Sequence, residues 1–405
     1  MSNTVKLPQL AWDDPRDVDF PLPDNWDVKV NNIAGYNRPA LTDDQIKTSI
    51  TTLMGTAPIR EQAKGKKEVV ILFDDMTRIT RAAKIVPHIL EELALAGIKD
   101  DQIRFMAATG THGPMNRWDY AKKLGADIVA RYPVYSHNPY ENCVYVGTTS
   151  RGTKVHINAE VMHCDFKIGI GSVTPHGFAV FTGGGKIMLP GVASLDTVHA
   201  NHSIPITPQD RKDYGINPRR CDMEEVAAMT GLNVLVECIV NMRGDSVEIF
   251  AGAETEAAEA AVEVAKTHYI TPKATDKDIV IANAYIKSSE AGGVIKGAAV
   301  SLKDSGGDIV TIANSPSGHV NHYLMGAWGR TIGGRMNMKQ PIDPKINHYL
   351  YYSQYPEMSS VINVDPPGKT QLIRDWDKVV QALKQYHPDG ASVVVYPSAD
   401  IQSFG

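Results

Sequence analysis

The apolar positions of this chain fall into short solid runs separated by helically spaced patterns, and that alternation sets the first expectation. Residues 68–73 (EVVILF) form a continuous run, as in a strand buried on both faces. Residues 83–96 then place Ile85, Ile89, Leu90, Leu93 and Leu95 at helical intervals and close on Gly97. Residues 102–107 return to strand and 117–124 to helix. Residues 144–146 and 153–157 flank a glycine-bounded turn as a hairpin. Phe166, Ile168 and Ile170 mark another buried strand, which runs into Gly171. Strand, helix and strand in this order imply a parallel sheet.

The segments on either side extend the pattern. Residues 1–40, rich in Pro, Asp and Asn, are expected to wrap the first domain as irregular chain with an edge strand near Val28. Residues 41–53 read as a helix capped by Thr42. Ser194 caps a further helix, residues 232–242 and 247–251 read as a hairpin, and the alanine-rich 255–267 as a helix. Past a boundary at 270–273, strands are expected at 278–282, 308–313, 349–352, 361–364 and 392–396, with helices at 294–302 and 371–386. The expectation is an α/β protein: two α/β domains with largely parallel sheets flanking a central cleft. Residues 1–272 would form the cofactor-binding and catalytic domain, and 273–405 a smaller domain closing the cleft.

Composition narrows the function. With 405 residues, 43% hydrophobic and 21% charged, the chain has the make-up of a globular protein. A net charge of -5 gives no global attraction to nucleic acid or an anionic membrane, so neither is an expected partner. The four cysteines form no CxxC pair, which argues against a disulfide framework or a structural zinc site. Neither a leader pattern nor a membrane-length apolar run is present, and a cytoplasmic location is expected.

Candidate chemistry collects just past the strand ends. Residues 68–73 lead into Asp75-Met76-Thr77-Arg78, and 102–107 into Thr109-Gly110-Thr111-His112-Gly113-Pro114. The strand at 166–171 leads to Pro175-His176, then Gly183-Gly184-Gly185-Lys186 and Leu189-Pro190-Gly191. The bare glycines suit close approach of a phosphate or flat cofactor beside one lysine. A P-loop would need Gly at 180 and Ser or Thr at 187, where the chain has Val180 and Ile187. Gly169 and Gly171 invite a dinucleotide-binding reading, yet a Pro-His pair follows where a helix should begin. His199 and His202 face one way on a helix, but two ligands do not define a metal site. His88, His137, His156, His163 and His268 read as satisfied polar residues.

Together these motifs resemble the nickel-pincer lactate racemase family, over residues 70 to 202. The resemblance implies an isomerase acting at C2 of a small 2-hydroxy acid. Lys186 would carry a nickel-pincer nucleotide, pyridinium-3-thioamide-5-thiocarboxylic acid mononucleotide, through a thioamide bond. His202, sixteen residues on, would be the nickel ligand, with His199 competing. His112 and His176 match the acid-base pair, and Arg78 and Lys296 approach substrate. Asp75, Thr77, Gly183, Gly184 and Gly185 would contact the cofactor. Such chemistry suits a poorly acidic Cα–H: hydride leaves C2 while a base takes the hydroxyl proton, and two bases serve the two hands. Separate enzymes would build the cofactor, and a homo-oligomer is left open.

Three departures from the family's pattern stand out: Ile79 for a usual proline, Gly113 for a common arginine, and Gly293 for a glutamine. They are expected around the substrate, which implies a substrate other than lactate. A nucleotide-dependent oxidoreductase and a non-catalytic nucleotide- or metal-binding protein are the competing classes.

Overall fold

Val69–Asp74 is buried through its first five residues, so it must be covered on both faces, and it lies inside a six-stranded sheet. The computed structural model describes residues 3–293, 297–324, 340–357, 364–365 and 370–404. The chain divides into two units. One comprises Arg38–Lys266 with His322–Leu324; the other comprises Met1–Asn37, Thr267–Asn321 and Met325–Gly405.

In the first unit the strand order is Ser246–Gly252, Val234–Val240, Phe166–Ser172, Val69–Asp74, Ile103–Ala108 and Val134–Ser136. Every neighbouring pair is parallel except the antiparallel edge strand Ser246–Gly252. Helix Val86–Leu95 makes the crossover between the strands at 69–74 and 103–108, and Gly97 follows it with a positive φ. The expected hairpins are present as Cys143–Thr148 with Lys154–Asn158 and Val234–Val240 with Ser246–Gly252.

The second unit has its own six-stranded sheet, all parallel: Thr370–Ile373, Ile346–Tyr352, Gly307–Ile312, Ile279–Asn283, Ser392–Tyr396 and Asp27–Val30. Here the N-terminal segment corrects the sequence expectation. Asp27–Val30 is indeed an edge strand, but it pairs with Ser392–Tyr396 rather than wrapping the first domain. The preceding hairpin, Asn3–Gln9 with Arg16–Leu22, buries Phe20 against Trp376 and Tyr352, with ring centroids 4.8 and 6.0 Å away. Apolar side chains on alternate positions of that hairpin found their partner some 350 residues away, a pairing no local pattern encodes.

Two further expectations change. The helix placed at 371–386 is split into strand Thr370–Ile373 and helix Trp376–Tyr386, because Asp375 caps the helix by accepting from the Asp377 N–H. A helix at Pro218–Thr230 was not foreseen, although Asn217 caps it, Pro218 opens it and Gly231 ends it in the left-handed region. Residues 294–296 and 361–363, where a helix start and most of a strand were expected, lie outside the described residues.

If the N-terminal hairpin belongs to the second core, Phe20→Ala should cost about 3–5 kcal/mol in urea denaturation followed by tryptophan fluorescence. A loss below about 1 kcal/mol would detach the hairpin from that core.

Candidate active site

The chain builds the first sheet outward from Val69–Asp74 through Ile103–Ala108 to Val134–Ser136, then returns to the other side with Phe166–Ser172. The strand order therefore reverses between Val69–Asp74 and Phe166–Ser172. At such a reversal the two following loops part and leave a crevice at the carboxyl ends of the strands. Asp75 leaves one strand there, and Val173 to His176 leaves the other.

Asp75 is buried and both its oxygens are engaged. Oδ2 accepts from His112 Nδ1 at 2.5 Å, and Oδ1 accepts from the Thr77 hydroxyl at 2.5 Å and the Thr77 N–H at 2.9 Å. Burial pushes the Asp75 carboxyl up, but His112, Arg78 and the Thr77 hydrogen bond outweigh it and hold the group well below the ordinary carboxylate range. An ionised Asp75 fixes the hydrogen of His112 on Nδ1, leaving the Nε2 lone pair of the neutral ring as a base. Arg78 Nη1 donates to the Thr77 hydroxyl at 2.7 Å, so Arg78, Thr77, Asp75 and His112 form one chain of hydrogen bonds. Lys123 braces this loop from behind, donating to Asp74 Oδ1 at 2.5 Å and to the Arg78 carbonyl at 2.8 Å. The His112 loop is pinned to the Pro190-Gly191 turn by the Gly110 N–H, which donates to the Gly191 carbonyl at 2.9 Å.

His176 lies on a two-residue strand, Pro175–His176, paired with Val180–Phe181. Its Nδ1 accepts from the Phe178 and Ala179 N–H groups at 3.2 and 3.4 Å, which leaves the hydrogen of the neutral ring on Nε2. Phe178 stands edge-on to both His176 and His202, centroids 6.1 and 5.6 Å away.

His202 is buried on helix Leu195–Ser203, whereas His199, one turn earlier, is partly exposed. Asn201 settles the tautomer of His202. Its amide nitrogen donates to the Arg219 carbonyl at 3.0 Å and to Asp222 Oδ2 at 2.9 Å, both pure acceptors, so its oxygen must face His202 Nδ1, 3.2 Å away. Nδ1 therefore carries the hydrogen and Nε2 the lone pair. Burial, then the nearby charges of Lys186, His322 and Arg219, depress the His202 pKa well below its ordinary value. A neutral imidazole with an outer partner on its other nitrogen is the form that ligates a metal.

Lys186 sits in the 3-10 turn Gly184–Ile187. The glycines before it do not form an open cradle, which corrects the reason given for them from sequence. A Cβ on Gly183 would fall 2.6 Å from Glu237 Oε2, one on Gly184 2.8 Å from Glu224, and one on Gly185 2.5 Å from the Met223 carbonyl. The amide hydrogens are also spent: Gly184 donates to Glu237 at 2.6 Å and Gly185 to Glu224 at 2.7 Å. Arg220 takes the carbonyls, donating to Gly183 at 2.7 Å, Phe181 at 2.6 Å and Thr182 at 3.2 Å. The glycines seat the turn on helix Pro218–Thr230 and strand Val234–Val240, and the lysine projects from that seat.

Arg220, Glu224 and Glu237 are the residues that sequence reasoning missed. Asn217-Pro218 followed by Gly231 was the available signal for the helix that carries two of them. His322, which shares with His319 the H-x-x-H spacing of His199 and His202, comes to the same place: its ring lies edge-on to His112, centroids 5.0 Å apart, and its charge reaches His202. The oxidoreductase motif weakens here, because a hairpin and not a helix follows Gly171, and a Cβ on Gly169 would meet Ile187 at 3.0 Å. Ile79 is fully buried and packs against Gly244. His137 is a satisfied core histidine between Ala193 and Asn158, its pKa lowered by burial to about 4. Lys296 lies outside the described residues. Among the described residues no cluster of three or more His, Cys, Asp or Glu could hold a metal ion by itself, and no helix is long and apolar enough to cross a membrane.

Known proteins resemble this chain in sequence and in fold. The lactate racemase N-terminal domain family matches residues 14–214. Lactate racemase of Thermoanaerobacterium thermosaccharolyticum is 28% identical over 74% of this chain and 72% of its own length. Lactate racemase of Lactiplantibacillus plantarum is 28% identical over 72% of this chain and 70% of its own length. The apoprotein structure of the Thermoanaerobacterium enzyme superposes with a TM-score of 0.74 at 20% identity, covering 99% of this chain and 100% of that one. A Thermotoga maritima protein of 17% identity superposes at 0.65, covering 90% and 99%. The α/β fold with its large parallel sheets is the fold of these structures. The chain belongs to the lactate racemase family, whose named members are isomerases.

Asp75→Asn replaces a charge-assisted hydrogen bond and should cost about 1.5–3 kcal/mol at neutral pH, read by urea denaturation. Because the native carboxyl titrates below the unfolded one, its contribution is present above about pH 4 and is lost as pH falls further. The gap between wild type and variant should therefore close in acid, and a gap independent of pH would contradict an ionised Asp75.

Proposed function

We propose that this protein racemises or epimerises C2 of a small 2-hydroxy acid with a nickel-pincer nucleotide carried on Lys186. The carrying observation is the pairing of Lys186 with a buried, neutral His202 whose Nε2 lone pair is set by Asn201. Imidazole nitrogen suits nickel, and the remaining soft donors would come from the cofactor itself. That accounts for a site with too few protein ligands to hold a metal alone. Bound to Lys186 and His202, the cofactor supplies an acceptor and donor of hydride at C2.

The chain's own residues then handle the proton. His112, with its hydrogen held on Nδ1 by Asp75, presents a lone pair at Nε2 for the substrate hydroxyl, and ionised Asp75 stabilises the imidazolium that results. His176, with Nδ1 accepting two backbone N–H groups, presents an N–H at Nε2 instead. To serve as base for the other enantiomer, His176 would have to carry its hydrogen on Nδ1, parting from the Phe178 and Ala179 N–H groups, and present its lone pair at Nε2. Arg78, half-buried at the end of the same hydrogen-bond chain, is suited to the substrate carboxylate. Gly113 beside His112 supports a substrate larger than lactate. The enzymes that assemble the cofactor are the expected partners.

The test is intact mass and nickel content on protein produced together with those enzymes. A mass increase mapping to Lys186 with about one nickel per chain is expected. Lys186→Ala should lose both, and His202→Ala should keep the adduct and lose most of the nickel. On a panel of 2-hydroxy acids read by chiral chromatography, His112→Ala and His176→Ala should each lower turnover by about 10²–10⁴-fold. Neither adduct nor nickel in the wild-type protein would overturn the assignment.

A further inference from the structure

Glu237 lies on strand Val234–Val240 beside Gly171, and its side chain is completely buried. Oε1 accepts the Gly184 N–H, while Oε2 has no hydrogen-bond partner. Asp74 approaches from the far side of Gly171: a Cβ there would lie 3.6 Å from Glu237 Oε2 and 3.9 Å from Asp74 Oδ2. Glu224 and Tyr214 face it from the helix side, joined to each other at 3.0 Å. Of the cations nearby, Lys123 is held by Asp74 at 2.5 Å, and Arg220 binds the Phe181, Thr182 and Gly183 carbonyls and Glu224 through its two terminal nitrogens, its buried Nε–H having no partner.

We propose that Glu237 is a positioning residue for Lys186: as a neutral acid it fastens the Gly183–Lys186 turn through the Gly184 amide, and its ionisation releases that turn. The inference rests on the reading of Lys186 as the amine that reacts. Seating is tight, since the three glycines leave no room for the turn to shift on its support. An anion at Glu237 would stand against Asp74 and Glu224 in a completely buried position with Oε2 unpartnered, a costly arrangement that opening of the turn to water relieves. Burial raises the carboxyl to about 8, with the Gly184 N–H and Arg220 pulling the other way. Its native pKa lies above the unfolded value, so the fastening is complete in acid and is lost as pH rises through about 8. Burial and the adjoining Glu224 push the Glu254 carboxyl up, whereas Glu224, against its own burial, is held down by Arg220 and by the bonds it accepts from Gly185 and Tyr214.

The test uses the full chain without cofactor. Brief acetylation with limiting acetic anhydride between about pH 6 and 10 is read by peptide mass spectrometry as the ratio of modification at Lys186 to that at exposed Lys6. Hydrogen exchange at Gly184 and Gly185 is followed in parallel. In the wild type the ratio should step up near pH 8 as protection of the two amides falls. Glu237→Gln, which keeps the acceptor and cannot ionise, should remove the step. Glu237→Ala should give the high ratio throughout, and if that variant does not fold, Glu237→Gln decides alone. A wild-type profile without the step, or a Glu237→Gln profile that retains it, would overturn the proposal. Either outcome is independent of cofactor loading, so failure of the nickel assignment and failure of the clamp are separately visible.

Discussion

A parallel sheet whose strand order reverses leaves the carboxyl ends of two neighbouring strands uncovered, and the site depends on that constraint. In the first unit the reversal falls between Val69–Asp74 and Phe166–Ser172. Asp75 and the loop to His176 start at those two ends, and Ile103–Ala108, next in the sheet, contributes His112. The crevice follows from connectivity. What fills it with chemistry is local wiring.

That wiring takes a consistent form: each candidate side chain has one nitrogen or one backbone neighbour committed to protein. His112 is oriented by Asp75, His202 by Asn201, His176 by two backbone N–H groups and Lys186 by a turn hung on buried carboxylates. Commitment of the inner atom fixes the tautomer of each neutral imidazole, and so decides which histidine presents a lone pair and which a hydrogen. Buried charge is tolerated because the partners are equally buried. Asp74 and Lys123 meet at 2.5 Å, with burial driving both toward neutrality against their mutual attraction.

Much of this was legible in the sequence. Solid apolar runs announced the central strands, and the polar residues after them announced the loops. The family resemblance added the roles proposed for His112, His176, Lys186 and His202. What was not legible was long-range. Phe20 packs on a helix near the other terminus, so the first 37 residues belong to the second unit rather than the first. The glycine run was read as room for a ligand, when the room is taken by Glu224, Glu237 and Met223 from an unforeseen helix and a neighbouring strand. Ile79 was read for its place near the substrate, and its packing against Gly244, more than 160 residues on, was not foreseen. In each case a local pattern was correct about the backbone and silent about what would face it.

The central claim is that C2 exchanges hydride, not a proton, while the histidines handle the hydroxyl. One enantiomer of an accepted 2-hydroxy acid, inverted by the loaded enzyme in deuterium oxide and examined by proton NMR and mass spectrometry, tests it directly. Hydride return within the site predicts that the inverted product keeps its C2 hydrogen. Deuterium at C2 in the product would show proton abstraction from carbon and contradict the account.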